Sequence, residues 1–174
     1  VNEKWLNEVP DPYAKAVGVN GKRAMIIDLK ETNPPGGGWK KDNCPVLKNA
    51  TDAIIYELHI RDASIAVNSG IKNKGKFTGL TEKDTKNEEG LSTGLDHLKE
   101  LGVTHIHLLP FFDFSSVDES KPGQPQYNWG YDPQNYNVPE GSYSTNPFDG
   151  VSRIKELKEL IYRFHQNGLR IVMD

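Results

Sequence analysis

The sequence of 174 residues predicts an α/β fold in which short parallel strands alternate with helices. Three observations predict it: two segments repeat apolar residues with helical spacing, three short segments are apolar and rich in β-branched residues, and the two kinds alternate along the chain. The predicted strands are apolar throughout. Such strands are expected to be buried on both faces, as in a parallel sheet covered by helices.

Each predicted helix has an apolar face and ends at a glycine. Thr93, with Asp96 three residues later, is expected to cap the first helix. Gly102 and Gly168 are expected to end the two helices, because glycine readily adopts the left-handed conformation. The apolar faces consist of Leu91, Leu95, Leu98 and Leu101 in the first helix, and of Ile154, Leu157, Leu160, Ile161 and Phe164 in the second.

The predicted strands cover residues 53–60, 104–109 and 169–173. The long segment at 111–149 has neither helical nor strand periodicity and is predicted to be a loop. Loops that follow the strands of a parallel sheet lie at its C-terminal edge, where ligands bind in α/β architectures. We therefore expect a binding site in this segment.

Residues 1–52 have a different pattern. Two short apolar runs between Val17 and Leu29 flank Asn20-Gly21, which predicts a hairpin with a tight turn, since both residues tolerate positive φ. We expect 1–33 to be the end of a β-rich module and 34–52, which is rich in proline and glycine, to be a linker. Residues 53–174 would then begin the α/β domain.

Composition excludes several functions. The formal net charge is −3, which argues against binding of a nucleic-acid backbone. The longest apolar runs have only a few residues, so a membrane span of about 20 apolar residues is not predicted. A lone cysteine, Cys44, excludes a disulfide within the chain and any multi-cysteine metal site.

The long loop is rich in aromatic and acidic residues. Flat aromatic rings beside carboxylates and amides suit a neutral carbohydrate and repel phosphates. The alternative is that the rings only anchor the loop to the core. Nine of the 16 aromatic residues lie there: Phe111, Phe112, Phe114, Tyr127, Trp129, Tyr131, Tyr136, Tyr143 and Phe148.

Two histidines, His105 and His107, are expected on the same side of the second strand. Such a pair can bind zinc, as in metal-dependent barrel hydrolases. No third ligand follows at an obvious spacing, so core or interface histidines are the favoured interpretation. A metal-dependent barrel hydrolase remains an alternative.

Residues 127–133, Tyr-Asn-Trp-Gly-Tyr-Asp-Pro, resemble the signature of type I pullulanases, the α-1,6-debranching members of glycoside hydrolase family 13. Other segments resemble that family in the same order along the chain. Residues 11–29 are similar to the tail of the preceding starch-binding-type β-sandwich. The segments at 56–62, 102–110, 139–144 and 168–174 are similar to parts of the catalytic barrel.

The resemblance implies a partial (β/α)8 TIM barrel with about the first three of eight strands, preceded by the end of a β-sandwich. It implies that Tyr131 stacks on the sugar before the scissile bond, that Trp129, Asn128 and Asp132 shape this subsite, and that Asp174 forms its floor. The family's nucleophile, acid/base and stabilising carboxylate would all lie beyond residue 174. No catalytic residue and no metal ligand is therefore expected in this chain.

The implied activity is retaining hydrolysis of α-1,6 branch linkages in an α-glucan such as pullulan, glycogen or amylopectin. The implied partners are this polysaccharide and the remaining segment of the enzyme, expected as a second chain, because a complete barrel needs about 250 residues. No cofactor is expected, and calcium is left open. The alternative function is a free-standing, non-catalytic α-glucan-binding module.

Overall fold

The computed structural model describes residues 7–174, so the first six residues of the predicted β-rich module lie outside the described part. The helices and strands alternate largely as predicted. They are β1 (Ile55–Leu58), α1 (Gly94–Glu100), β2 (His105–Leu108), β3 (Phe112–Phe114), β4 (Pro133–Pro139), α2 (Gly150–Gln166) and β5 (Arg170–Met173).

The three predicted strands form one parallel sheet in the order β1-β2-β5. Ile106 of the central strand pairs with Tyr56 on one side and Ile171 on the other. Ile106 and Leu108 are buried in the main core together with apolar residues of both helices. The sequence therefore predicted the topology that brings the ends of β1, β2 and β5 to one edge.

Burial on both faces of the sheet was predicted and is wrong for the described residues. The helices cover the face that carries Ile106 and Leu108, whereas the opposite face, with His105 and His107, is partly exposed. In the outer strand β1, Ile55, Tyr56 and Glu57 are exposed as well, whereas Leu58 is buried. The physical reason is that residues 7–174 supply a covering layer on one side only.

Helix α1 is shorter than predicted. It begins at Gly94, so that Leu95 and Leu98 are buried while Leu91 and Leu101 are exposed. Thr93 occupies the capping position but makes no capping hydrogen bond. Its hydroxyl instead donates to the Ser69 carbonyl at 2.6 Å.

The ends of both helices are as predicted, since Gly102 and Gly168 have φ of +70° and +80°. In α2 the apolar residues Leu157, Leu160 and Phe164 are buried. Arg153 is also buried there, which the sequence analysis did not predict. No helix within residues 7–174 combines the length and the apolar character that crossing a bilayer would require.

The predicted loop at 111–149 contains the antiparallel pair β3–β4. This pair was missed because β3 has three residues, the register shifts around Asp113, and β4 begins and ends with proline. These features interrupt the alternation of polar and apolar residues by which a strand is recognised.

The turn at Asn20-Gly21 has the predicted positive φ values, +57° and +62°. The flanking runs do not form strands, since only one isolated bridge pairs Val17 with Ala24. The linker packs against α2, where the Lys158 ammonium lies over the Trp39 ring. The boundaries at 33 and 52 stay a prediction.

Candidate functional site

The heptapeptide loop (residues 127–133) lies at the C-terminal edge of the parallel sheet. This edge is formed by the residues that follow β1, β2 and β5, namely His59, Pro110 and Asp174. Backbone hydrogen bonds hold the three strand ends in register: Leu109 donates to Leu58 at 2.9 Å, and Asp174 donates to Leu108 at 3.3 Å.

Tyr131 links this loop to the strand ends. Its hydroxyl donates a hydrogen bond of 2.8 Å to the Asp174 carboxylate, and this bond raises the pKa of Tyr131. The residue is nevertheless 60% exposed. The hydroxyl is therefore tethered while much of the ring is available to a ligand.

The other two rings of the loop have different environments. Trp129 is 59% exposed, and it meets Tyr127 edge to face with ring centroids 6.0 Å apart. Tyr127 also contacts His59, at 5.3 Å between ring centroids, and lies under the Arg61 guanidinium. Tyr127 thus anchors the loop, and Trp129 and Tyr131 present their rings to solvent.

Asn128 and Asp132 hold the turn between the rings. The Asn128 side chain accepts a hydrogen bond from the Gly130 amide at 2.9 Å and donates to Asp132 at 2.5 Å. Asp132 also accepts from the hydroxyls of Ser115 and Ser116. Burial tends to raise the pKa of Asp132, but these donors together hold it below its usual value. Both side chains therefore support the loop from within.

Gly130 makes a close approach that a side chain would prevent. Its φ is +93°, and a Cβ atom at this position would lie 2.5 Å from the Pro110 carbonyl oxygen. The loop is thereby seated directly on the residue that follows β2. With any other residue at this position, the backbone would have to change its φ and move away from Pro110, because a Cβ atom disfavours positive φ and overlaps the carbonyl.

His59 and Tyr143 hold the loop in place; Tyr143 was named only among the aromatic residues of the long loop, and no role was predicted for His59. His59 Nε2 lies 2.8 Å from the Asn128 carbonyl, and Nδ1 accepts from the Asp62 amide. This pattern requires the tautomer with the proton on Nε2. Tyr143 is buried, and its hydroxyl lies 3.1 Å from the same Nε2. The signal that could have found His59 is its position directly after a strand.

The two histidines of β2 lie on the same side of the strand, as predicted. His107 has Glu57 at 3.7 Å and Asp174 at 4.0 Å. His105 is instead next to the Thr104 hydroxyl, at 2.8 Å. Within residues 7–174 these histidines belong to no group of three side chains that could hold a metal ion. The zinc alternative has no third ligand there.

A buried cluster of charges lies behind the loop. The Arg153 guanidinium is fully buried and donates to Asp113 at 2.9 Å and to Glu119 at 2.5 Å. Three backbone carbonyls also accept from it, those of Gly18, Pro139 and Pro147. The cluster joins the N-terminal segment, both flanks of the long loop and α2.

Three carboxylates in this cluster, Asp113, Glu119 and Glu140, come within 4.8 Å of one another. Burial raises the pKa of Asp113 to about 6, and burial together with Glu119 raises the pKa of Glu140. Two of them, Asp113 and Glu119, already accept hydrogen bonds from the buried Arg153 guanidinium, so a positive charge is in place beside them. They are also inaccessible to a sugar, being at most 2% exposed.

A cavity of about 350 Å³ lies beside the loop. Apolar, cationic and acidic side chains line it, and Asn128 and His59 are part of the lining, whereas Trp129 and Tyr131 are not. Burial lowers the pKa of Lys76, whose ammonium donates to the Ser142 carbonyl at 2.7 Å. The cavity is therefore a separate concave feature next to the candidate site.

Comparison with known proteins gives a consistent result. Residues 74–174 match the family model described as alpha amylase, catalytic domain. A pullulanase of Bacillus subtilis is 48% identical over 173 residues, which is 99% of this chain and 23% of that protein. Isoamylase SU1 of Zea mays is 30% identical over 97% of this chain and 21% of that protein.

Solved structures agree. A pullulanase of Paenibacillus barengoltzii in complex with maltohexaose and alpha-cyclodextrin is 60% identical, with a TM-score of 0.95 over 99% of this chain and 26% of that chain. A pullulanase of Anoxybacillus in complex with maltotriose is 48% identical, with a TM-score of 0.86 over 95% of this chain and 23% of that chain. This chain thus spans about a quarter of the length of these relatives.

Proposed function

Since the chain belongs to the alpha-amylase catalytic-domain family, we propose that it forms the N-terminal part of a pullulanase-type glycoside hydrolase that cleaves α-1,6 linkages. The observation that carries the proposal is the placement of Trp129 and Tyr131. Both rings are exposed, and Tyr131 is bonded to Asp174 at the C-terminal edge of the parallel sheet, where barrel enzymes bind substrate.

In this function the residues of the chain bind and orient the sugar. A ring face of Tyr131 packs against the C–H face of a glucosyl residue, while Asp174 holds the hydroxyl of that ring in place. Because the ring is held before binding, little entropy is lost on binding. Trp129 offers a second apolar face nearby.

Hydrolysis with retention needs two accessible carboxyl groups about 5–5.5 Å apart across the scissile bond. Within residues 7–174, the three carboxylates that come within 4.8 Å of one another belong to the Arg153 cluster, which is too buried to reach a sugar. We therefore infer that the nucleophile and the acid/base come from a further segment of the enzyme, and that the chain is inactive alone.

The exposed outer strands of the sheet support such a segment. Four large apolar residues near the strand ends of β1 and β5 are exposed: Ile54, Ile55, Tyr56 and Met173. Exposed apolar strands favour pairing with other strands. In this proposal a further segment, expected as a second chain, covers them and completes the barrel. Residues 7–33 and 34–52 would be the end of a β-sandwich and its linker.

The test is hydrolysis of pullulan by the full-length polypeptide that carries this sequence, compared with the isolated 174-residue chain. We expect the full-length protein to release maltotriose from pullulan and to leave linear α-1,4 amylose intact. The isolated chain should bind α-glucan at most and release no reducing sugar. Release by the mass-verified isolated chain would contradict the assignment of the catalytic carboxylates to another segment.

A non-catalytic α-glucan-binding module is the other candidate, and the same assay separates the two. A full-length protein that binds maltotriose but cleaves neither pullulan nor amylose would support the module. The similarity to pullulanases over nearly the whole chain favours the enzyme.

A further inference from the structure

We propose that the turn at residues 18–22, here called the brace turn, positions the sugar-binding rings by holding both ends of the heptapeptide loop. Asn20 is the central residue of this device. It lies 99 positions before Glu119 in the chain, yet the two residues are hydrogen-bonded. What the loop binds rests on the proposed function, whereas the bracing rests on the contacts alone.

The brace turn holds the segment before the loop through Asn20. The Asn20 amide donates to Glu119 Oε2 at 2.6 Å, and the Glu119 amide donates to Asn20 Oδ1 at 2.7 Å. Asn20 Nδ2 donates to Asp118 at 3.0 Å. Asp118 in turn exchanges two hydrogen bonds with Gln126, the residue directly before Tyr127. The contacts thus reach the residue directly before the loop.

The same turn holds the segment after the loop through Gly21. The Gly21 carbonyl accepts hydrogen bonds from Asn135 at 3.0 Å and from Gln134 at 3.3 Å. Both residues follow Pro133, the last residue of the heptapeptide. The two ends of the loop are therefore connected to adjacent residues of one turn.

The brace turn is itself fixed on the buried charge cluster. The Gly18 carbonyl accepts from Arg153 at 3.0 Å. Gly21 is buried, and a Cβ atom there would lie 2.2 Å from Asp113 Oδ2. Because Asn20 and Gly21 both have positive φ, the Asn20 amide faces the segment before the loop while the Gly21 carbonyl faces the segment after it. Through these contacts, the brace turn transmits a displacement of the N-terminal segment to the sugar-binding rings.

Asn20→Gly is the variant that tests this in the full-length protein, because glycine keeps the positive φ and removes only the side-chain hydrogen bonds. Lys22→Ala is the matched control, since Lys22 is exposed in the same turn and makes no side-chain hydrogen bond within residues 7–174. Gln134→Ala tests the other flank independently. The measurements are hydrogen–deuterium exchange, maltotriose titration, and KM and kcat on pullulan.

We expect Asn20→Gly to accelerate amide exchange in residues 118–132 and to leave α2 unchanged. The Kd of maltotriose and the KM should rise about three- to tenfold, while kcat changes less than twofold, because a loosened platform must be ordered on binding. Lys22→Ala should match the wild type. If Asn20→Gly prevents folding, Gln134→Ala should give the same pattern more weakly.

If amide exchange in residues 118–132 is unchanged in Asn20→Gly, the brace turn does not hold the loop and the proposal fails. Faster exchange with an unchanged Kd would overturn the positioning role and leave a purely structural contact. Both outcomes differ from failure of the proposed function, in which the wild-type protein itself would neither bind maltotriose nor cleave pullulan.

Discussion

Tyr131 combines a tethered hydroxyl with an exposed ring, which is the arrangement expected of a stacking residue. We predict that Tyr131→Ala lowers kcat/KM on pullulan about ten- to hundredfold, since loss of one stacking partner costs about 1–3 kcal/mol by analogy with bases stacked on aromatic rings. Steady-state kinetics of the full-length protein provide the measurement. Tyr131→Phe should have a mild effect, because the ring face is retained.

A melting curve separates this role from a structural one. Tyr131→Ala should leave the melting temperature close to that of the wild type, because the side chain is largely exposed. If turnover is intact and the melting temperature falls steeply, the ring is an anchor of the fold and the sugar-binding role fails.

Gly130 tests the seating of the loop on β2. We predict that Gly130→Ala reduces kcat/KM on pullulan at least tenfold and lowers the melting temperature, because a left-handed non-glycine residue costs about 1–2 kcal/mol and the new Cβ would overlap the Pro110 carbonyl. Gly123→Ala is the control, since a Cβ atom there meets nothing within 4 Å. Equal behaviour of the two variants would contradict the close approach.

At the scale of elements, the Arg153 cluster joins the brace turn, β3, the long loop and α2, and it should make stability depend on pH. Burial raises the pKa of Asp113 from 3.8 to about 6. The folded state therefore retains a proton that the unfolded state loses above pH 4. The stability that the protonated Asp113 contributes is therefore fully present below about pH 4 and is lost as the pH rises through about 6.

We predict that Asp113→Asn removes this part of the pH dependence. The melting temperature of the variant relative to the wild type should rise as the pH increases from 4 to 7, whatever the absolute cost of the substitution. Asp28→Asn, at an exposed position, should show no such trend. A pH-independent difference for Asp113→Asn would mean that Asp113 does not titrate in this range.

Elements whose apolar residues repeat with a regular spacing could be predicted from the sequence. Elements that depend on polar contacts between distant residues could not. The parallel strands and the glycine ends of α1 and α2 follow from local apolar spacing. Strand β4 does not, because its pairing depends on Asp113 and Asn135, which lie 22 residues apart in the chain. Arg153 gave a signal that was not used: with Leu157, Leu160 and Phe164 it continues the apolar stripe of α2, where a charged residue requires buried acceptors.

The candidate site was only partly predictable for the same reason. Tyr131, Trp129 and Asp174 were named from the family resemblance, and the structure brings Tyr131 and Asp174 into contact. Asn128 and Asp132 were expected to shape the sugar subsite, which stays a prediction, and their side chains also hold the turn. Ser115 and Ser116, which donate to Asp132, lie 17 and 16 residues before it in the chain, so the motif alone could not show this role.

For the whole molecule, the exposed apolar residues of the sheet predict that the isolated chain associates. We expect size-exclusion chromatography with light scattering to find oligomers or aggregates, since unpaired apolar strands add further strands. A monodisperse monomer of 19.5 kDa that unfolds cooperatively would show that the chain needs no further segment.

The central claim is that the heptapeptide loop forms the sugar-binding platform at the C-terminal edge of the sheet. A crystal structure of the full-length protein with bound maltotriose tests it most directly. The account predicts a glucosyl ring packed against the face of Tyr131 at van der Waals distance, with the hydroxyl of that residue still bound to Asp174. Maltotriose bound elsewhere, with both Tyr131 and Trp129 free of sugar, would contradict it.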